Sequence, residues 1–364
     1  MGLDGTLIDS PFTKNYLPIN VNIMNHIIQI ITLSLLMIVQ FSCAKNESQQ
    51  QQSTNNQNVD IWTRLSTNSP SMRASNAMAY DTLHKKIINY GGRSGFPDFD
   101  DINETWTFDY NSKTWTNLKP SNSPPWRTSH SMVYDELRHK VLIFGGGDFS
   151  KVFNDLWEYD YSQNTWTKRS TNTPPEARQM HGMVYIPDRD VILIFGGRSL
   201  NGGASFADVW EFNCKTSIWK KLNPKNTPPV SDHVKMTYDK SVRKLLLFTN
   251  SQTWAFNLDT ENWTKLHATN PPDTDHSNFV YSDHHQVSIL FGDSKSTHKM
   301  ITWTFNYSEN SWTDITSNNF PTINFYENPP VIEHDALVYI NDLNVFIQYG
   351  GCCSDQTLQL SLNK

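Results

Sequence analysis

Five times in this chain a tryptophan is followed nine residues later by another: Trp106 and Trp115, Trp157 and Trp166, Trp210 and Trp219, Trp254 and Trp263, and Trp303 and Trp312. Successive pairs are separated by roughly 50 residues, a period that marks stacked structural repeats, each too small to bury its own apolar face. Within a pair the pattern W-x-[FY]-[DN]-x…W reads as two short strands joined by a turn. A second hairpin precedes each pair, as in residues 129–135 and 140–144. Its inner strand is almost continuously apolar (Ile192-Leu193-Ile194-Phe195, Leu245-Leu246-Leu247-Phe248), as expected where both faces of a sheet are covered. Aromatic residues make up 12% of the sequence, and Ala/Leu/Glu/Lys-rich stretches that would build helices are missing.

Four strands per repeat, stacked face to face, describe the blades of a propeller. The units carry R-x-x-H (Arg127 to His130, Arg178 to His181), a Tyr-Asp step and a diglycine (Gly145-Gly146, Gly196-Gly197) besides the spaced tryptophan. In this the chain resembles the kelch-repeat family over about 300 residues, which implies an all-β, six-bladed kelch-type β-propeller. The diglycine suits a chain leaving its strand with positive φ. Blade four has Thr249-Asn250 there and blade five Gly292-Asp293, and Asn and Asp are the next most tolerant of that conformation. The last unit, over residues 335–339, 344–349 and 357–362, lacks its fourth strand. Residues 61–65 match the Trp115-Thr116-Asn117-Leu118 strand, so the N-terminal strand is expected to pair into blade six and close the ring, leaving no edge at the join.

Upstream, residues 27–39 form an apolar run too short to span a bilayer comfortably but suited to a signal-peptide core. It ends in Gln40-Phe41-Ser42-Cys43, which resembles a bacterial lipobox with Gln40 in place of the usual Leu. Residues 1–43 are thus expected to be an export segment started at Met24, with Cys43 as the lipidation site. Residues 44–60, rich in Gln, Asn and Ser, read as a tether and residues 61–364 as the propeller. The protein is thus expected to be secreted across the inner membrane and anchored only by lipid in the cell envelope, in the periplasm or at the cell surface. Cys352 and Cys353 read as thiols or a vicinal disulfide.

A net charge of −6 supplies no phosphate-binding surface, so nucleic acid is not an expected partner. Strand order sends the interblade connections and the post-diglycine loops to one face, where the loops 93–102, 147–153 and 198–207 are long and varied. Function is expected there. On that face Arg73, Arg127 and Arg178 precede a strand tyrosine by seven residues, whereas the other three blades carry Asp232-His233, Asp275-His276 and Glu333-His334. Kelch proteins that recognise acidic peptides or sialic-acid sugars use arginines at the matching positions, so the resemblance implies a ligand role for these three, as planar forks for a carboxylate. The alternative is that they bond loop carbonyls or neighbouring carboxylates, and His130 and His181 read as structural. Trp126, Phe96, Phe99, Phe149 and Phe153 either stack on a sugar, anchor a partner, or cap the blades.

No catalytic set is recognisable, and no metal or cofactor is expected. The reading is a monomeric binding module for a protein, peptide or glycan. The alternative is a carbohydrate-acting enzyme, because the resemblance extends to a sialic-acid mutarotase and to galactose oxidases. Mutarotation would draw on Glu333, His334, Asp275 and His276 as acid and base. An oxidase would need a cysteine beside copper, whereas Cys214 reads as part of an outer strand.

Overall fold

The computed structural model describes residues 61–65, 67–94, 102–200, 203, 205–229, 233–317, 320, 336–351 and 354–362. The segments expected to carry export, Cys43 and the tether, together with Cys352 and Cys353, lie outside them. Among the described residues, twenty-four strands, β1 to β24, form six four-stranded antiparallel sheets. Blade one comprises β2 (Ala77–Asp81), β3 (Lys86–Tyr90), β4 (Thr105–Asp109) and β5 (Thr114–Asn117). Blades two to five repeat this order as β6 to β9, β10 to β13, β14 to β17 and β18 to β21. The first strands touch in cyclic order, β2 to β6, β6 to β10, and so on to β22 and back to β2, so the six sheets close around an axis.

The join is as expected. β1 (Ile61–Leu65) pairs antiparallel with β24 (Thr357–Ser361) as the outer strand of blade six, with Trp62 opposite Leu360. The apolar inner strands are explained by the six core clusters among the described residues, one at each blade-to-blade joint. In β7 (Lys140–Phe144), Leu142 and Phe144 pack toward blade three while Val141 and Ile143 pack toward blade one. Alternation along the strand thus serves two apolar neighbours rather than a core and solvent.

The second tryptophan of each pair lies opposite an aromatic residue of the preceding strand, Trp115 on Phe108 and Trp166 on Tyr159, and is buried. Its indole N–H then crosses to the neighbouring blade. Trp115 donates to Thr357, Trp166 to Thr105, Trp312 to Thr253 and Trp62 to Thr302, at 2.8–2.9 Å. In every case the threonine directly precedes the first tryptophan of its repeat or the Leu358 that replaces it. Blades two and three carry Leu156 and Val209 there, and the indole nitrogens of Trp219 and Trp263 are unpartnered. A buried N–H without an acceptor costs about 1–3 kcal/mol. Thr105→Val is therefore expected to lower stability by that amount in urea titrations. Val209→Thr, close in volume and supplying the hydroxyl to Trp263, is expected to raise it by about 0.5–1.5 kcal/mol.

The diglycines behave as anticipated: Gly145 and Gly146 have φ of 67° and 82°, Gly196 and Gly197 of 69° and 85°. Space adds to conformation, since a Cβ on Gly145 would lie 2.5 Å from the Arg178 carbonyl oxygen and 2.8 Å from the His181 ring. Blade four turns on Asn250 and Ser251, both left-handed. Blade five departs from the expectation. β19 (Val287–Ser294) runs straight through Gly292-Asp293, and the left-handed residue of its turn is His298. The hairpin β19–β20 is longer than its counterparts, so no reversal is required at the former diglycine site.

Candidate functional site

The three arginines expected to face a ligand are instead spent inside the ring. Arg73, Arg127 and Arg178 are 0% exposed. Arg127 donates Nη1 to Asp155 Oδ1 (2.7 Å) and to the Gly145 carbonyl (2.9 Å), Nη2 to Asp155 Oδ2 (3.3 Å) and Nε to the Pro125 carbonyl (3.2 Å). Arg178 repeats each contact on Asp208, Gly196 and Glu176. Arg73 reaches Glu104 at 3.0 Å. Phe153 and Phe206 cover the Arg127 and Arg178 guanidinium planes at 4.3 Å. Each acid also accepts the indole N–H of the first tryptophan of its repeat: Trp106 on Glu104, Trp157 on Asp155, Trp210 on Asp208. Burial opposes ionisation of these carboxyls, but the guanidinium and indole donors outweigh it and hold all three below the usual carboxylate range. The basic half-ring is therefore neutralised blade by blade: Arg127 and Arg178 each make four bonds without solvent access, and Arg73, equally buried, makes three through Nε and Nη2 while its Nη1 has no hydrogen-bond partner.

The sequence held a signal for this. An acid stands two residues before the first tryptophan of the repeat only where the arginine is present; the remaining blades have Gln252, Ile301 and Gln356. Of the acid-plus-histidine positions, Asp232, Glu333 and His334 lie outside the described residues, as do Phe96 and Phe99. Asp275 and His276 belong to the backbone of β18 (Thr274–Ser282), their side chains outside the description.

His233 does reach a site. It lines a small cavity of about 50 Å³ on the axis, at the long-loop mouth of the ring, with His130, His181, Asn76, Asn278 and Lys235. Below it a channel of about 170 Å³ runs between the inner strands. Lys235 opens β14 (Lys235–Asp239) at a register position held in the first strands of the other blades by Ala77, Ser131, Gly182, Asn278 and Ala336. One long cation thus stands where the other five blades have uncharged residues. Its signal in the sequence was this break in pattern, overlooked beside the more regular arginines. The Lys235 charge also bears on the two motif histidines. Burial first, then the nearby arginine, push the His130 imidazole down to about 3, and His181 falls well below its ordinary value for the same two reasons; Lys235 adds to both.

Those histidines are neutral in the folded protein and protonate freely once unfolded. The unfolded chain therefore binds more protons at any pH below about 6.5, and stability rises with pH in that window. Each unit of acidification from pH 6.5 is expected to cost about 1.4 kcal/mol per histidine until the folded-state value is approached. Melting temperature measured from pH 7 to 4 should fall well before the paired carboxylates titrate.

On the rim of the same face Trp126, half-buried, donates its indole N–H to the Gly92 carbonyl at 2.8 Å and packs on Phe149 at 5.0 Å. Phe149 is 61% exposed. The loop that presents it is tied down: Asp148 accepts from the Ser150 and Lys151 N–H groups, and the Phe153 N–H returns to Gly146. A rigid, exposed aromatic loses little entropy on contact.

Away from the axis, Asp135, Asp190 and Cys214 lie together at the joint of blades two and three. Arg138 spans both carboxylates at 2.6–2.9 Å, and burial, then the two acids, push the Cys214 thiol up to about 12. This is a closed ion network. Cys214 follows β12 (Val209–Asn213), the third strand of its blade.

Comparison with known proteins agrees with this architecture. A family model described as the KLHDC2/KLHL20/DRC7 Kelch-repeats domain matches residues 44–248. Kelch domain-containing protein 10 of Homo sapiens and of Bos taurus is 30% identical over 175 residues, covering 45% of this chain and 37% of theirs. Mei4-dependent protein 6 of Schizosaccharomyces pombe is 27% identical over 165 residues, covering 42% of this chain and 23% of its own. The matched region thus spans well under half the length of these relatives. With that family match over more than half of its sequence, and six four-stranded blades closed by its own β1, the chain belongs to the kelch-repeat family.

Proposed function

We propose that this propeller is a protein- or peptide-binding module that receives its ligand on the long-loop face. The observation that supports this reading is the axial cavity lined by Lys235 together with histidine, asparagine and serine residues, on the face that also carries the Trp126–Phe149 pair. A partially enclosed ammonium favours a carboxylate, and the surrounding amides and hydroxyls offer further bonds to it. The ligand class is accordingly an acidic peptide segment, with an aromatic or apolar residue set against Phe149. The role assigned to the arginines passes to Lys235.

Screening the full chain against arrays of acidic peptides, neutral peptides and glycans tests the proposal. Selective capture of acidic peptides, weakened at least tenfold by Lys235→Ala and by Phe149→Ala, is the expected result. Equal capture by the variants, or binding confined to neutral glycans, refutes it. We propose further that the module is displayed on the cell envelope through lipid at Cys43, supported by the apolar run at 27–39 and the polar stretch that follows. Fatty-acid labelling that persists in Cys43→Ser overturns the anchor while leaving the binding reading intact.

A further inference from the structure

The tight turns on the opposite face carry an arrangement separate from the axial cavity. Asp81 ends β2, His84 sits in the turn that follows, and Ser162 lies in the turn between β8 (Leu156–Asp160) and β9 (Thr165–Arg169) of the next blade. His84 Nδ1 is 2.7 Å from Asp81 Oδ2, and His84 Nε2 is 2.9 Å from Ser162 Oγ. An ionised carboxylate can only accept, so it takes the proton on Nδ1. Nε2 is then the lone-pair nitrogen, and the serine hydroxyl donates to it. Burial is graded along the series: the Asp81 side chain is 1% exposed, that of His84 24%, and Ser162 is exposed. Asp81 Oδ1 is fixed by the Leu83 and His84 N–H groups, and the Tyr161 ring packs against the imidazole at 4.8 Å. In blade two the residue at the corresponding place is Arg138, committed to Asp135 and Asp190.

We propose that Ser162 is a nucleophile activated by His84, with Asp81 as the positioning residue, and that it accepts acyl or phosphonyl groups from activated esters. The Ser162 Oγ–H proton passes to His84 Nε2 as a bond forms from Oγ to the acyl carbon. The leaving phenolate departs with the bonding pair and takes the proton from His84 Nε2, which restores the base. Water, deprotonated at that nitrogen, then attacks the acyl carbon; the bond to Ser162 Oγ breaks, Oγ recovers the proton from His84, and the carboxylic acid leaves. The same turns limit the substrate class. Their N–H groups are occupied, Leu83 and His84 by Asp81, Gln163 by Asp160 and Asn164 by the Tyr161 carbonyl, so none of these four is left to stabilise an oxyanion. Acyl groups must therefore carry a good leaving group; amides lie beyond this site.

The full chain is treated with a fluorophosphonate probe, which loses fluoride as the P–O bond forms, and the modified peptide is identified by mass spectrometry. Hydrolysis of p-nitrophenyl acetate is followed in parallel. Label on Ser162, lost in Ser162→Ala, is expected, with turnover lower by on the order of 100-fold in Ser162→Ala and His84→Gln. Asp81→Asn keeps an oxygen for the two turn N–H groups but leaves the imidazole tautomer unset, so kcat should fall with KM and melting temperature held. An unlabelled Ser162, or equal turnover by parent and Ser162→Ala, overturns the proposal; neither result bears on ligand binding at the axial mouth.

Discussion

Removal of residues 59–65 is expected to abolish the cooperative melting of the propeller. β1 supplies the outer strand of blade six, and without it β24 becomes an open edge whose N–H and C=O groups have no partner. Leu358 and Leu360, both 0% exposed, lose their cover, and the Trp62 indole leaves the joint of blades five and six, where it packs 4.3 Å from Phe291 and donates to Thr302. Trp62→Ala isolates the side-chain part of this loss and is expected to cost about 3–5 kcal/mol, the range for truncating a buried aromatic residue. Calorimetry of the full chain and of both variants measures the effect. A deletion that melts like the parent would contradict closure by β1.

Arg127→Met is expected to destabilise the protein by about 3–5 kcal/mol, as found when one partner of a buried ion pair is removed. Asp155 would keep its indole bond to Trp157 but lose the guanidinium that offsets its burial, and the Gly145 carbonyl would lose its donor. The double variant Arg127→Met/Asp155→Leu should recover much of that loss, because no uncompensated charge remains. Urea unfolding of both variants checks this. The direction in pH follows as well. The folded Asp155 carboxyl titrates below its unfolded value, so its contribution is complete above the unfolded value and disappears as pH falls through the folded one. If Arg127 were instead a ligand fork, the single variant would lose affinity and keep its stability.

These two residues show how unevenly the sequence disclosed the molecule. The fold could be read from Trp62 because it stands in the same W-T-x-L frame as Trp115, and identical short patterns make identical strands whatever surrounds them. Arg127 was equally visible, but its environment was not. A guanidinium near a loop mouth is equally compatible with solvent, a ligand or a carboxylate, and only a partner 28 residues away in the chain decides among them. Lys235 was missed for the converse reason. Its place on the axis is a property of six strands together, and a single strand beginning with lysine looks like any other. The blade-five turn was misjudged because Gly292-Asp293 matches the diglycine locally while the length of β19 is set by its pairing with β20.

The sequence by itself determined the repeat, its strand order, the number of blades and the segment that closes them, since these follow from periodic side-chain pattern and from backbone preferences at glycine. Tertiary structure alone decided which polar side chains neutralise one another and which line a cavity or meet in a turn. The pairing of Arg127 with Asp155, the axial position of Lys235 and the approach of Ser162 to His84 across two blades all depend on distances between residues remote in the chain. Hydrogen bonds and ion pairs act over a few ångströms. A sequence pattern has no means of expressing such separations until the chain has closed.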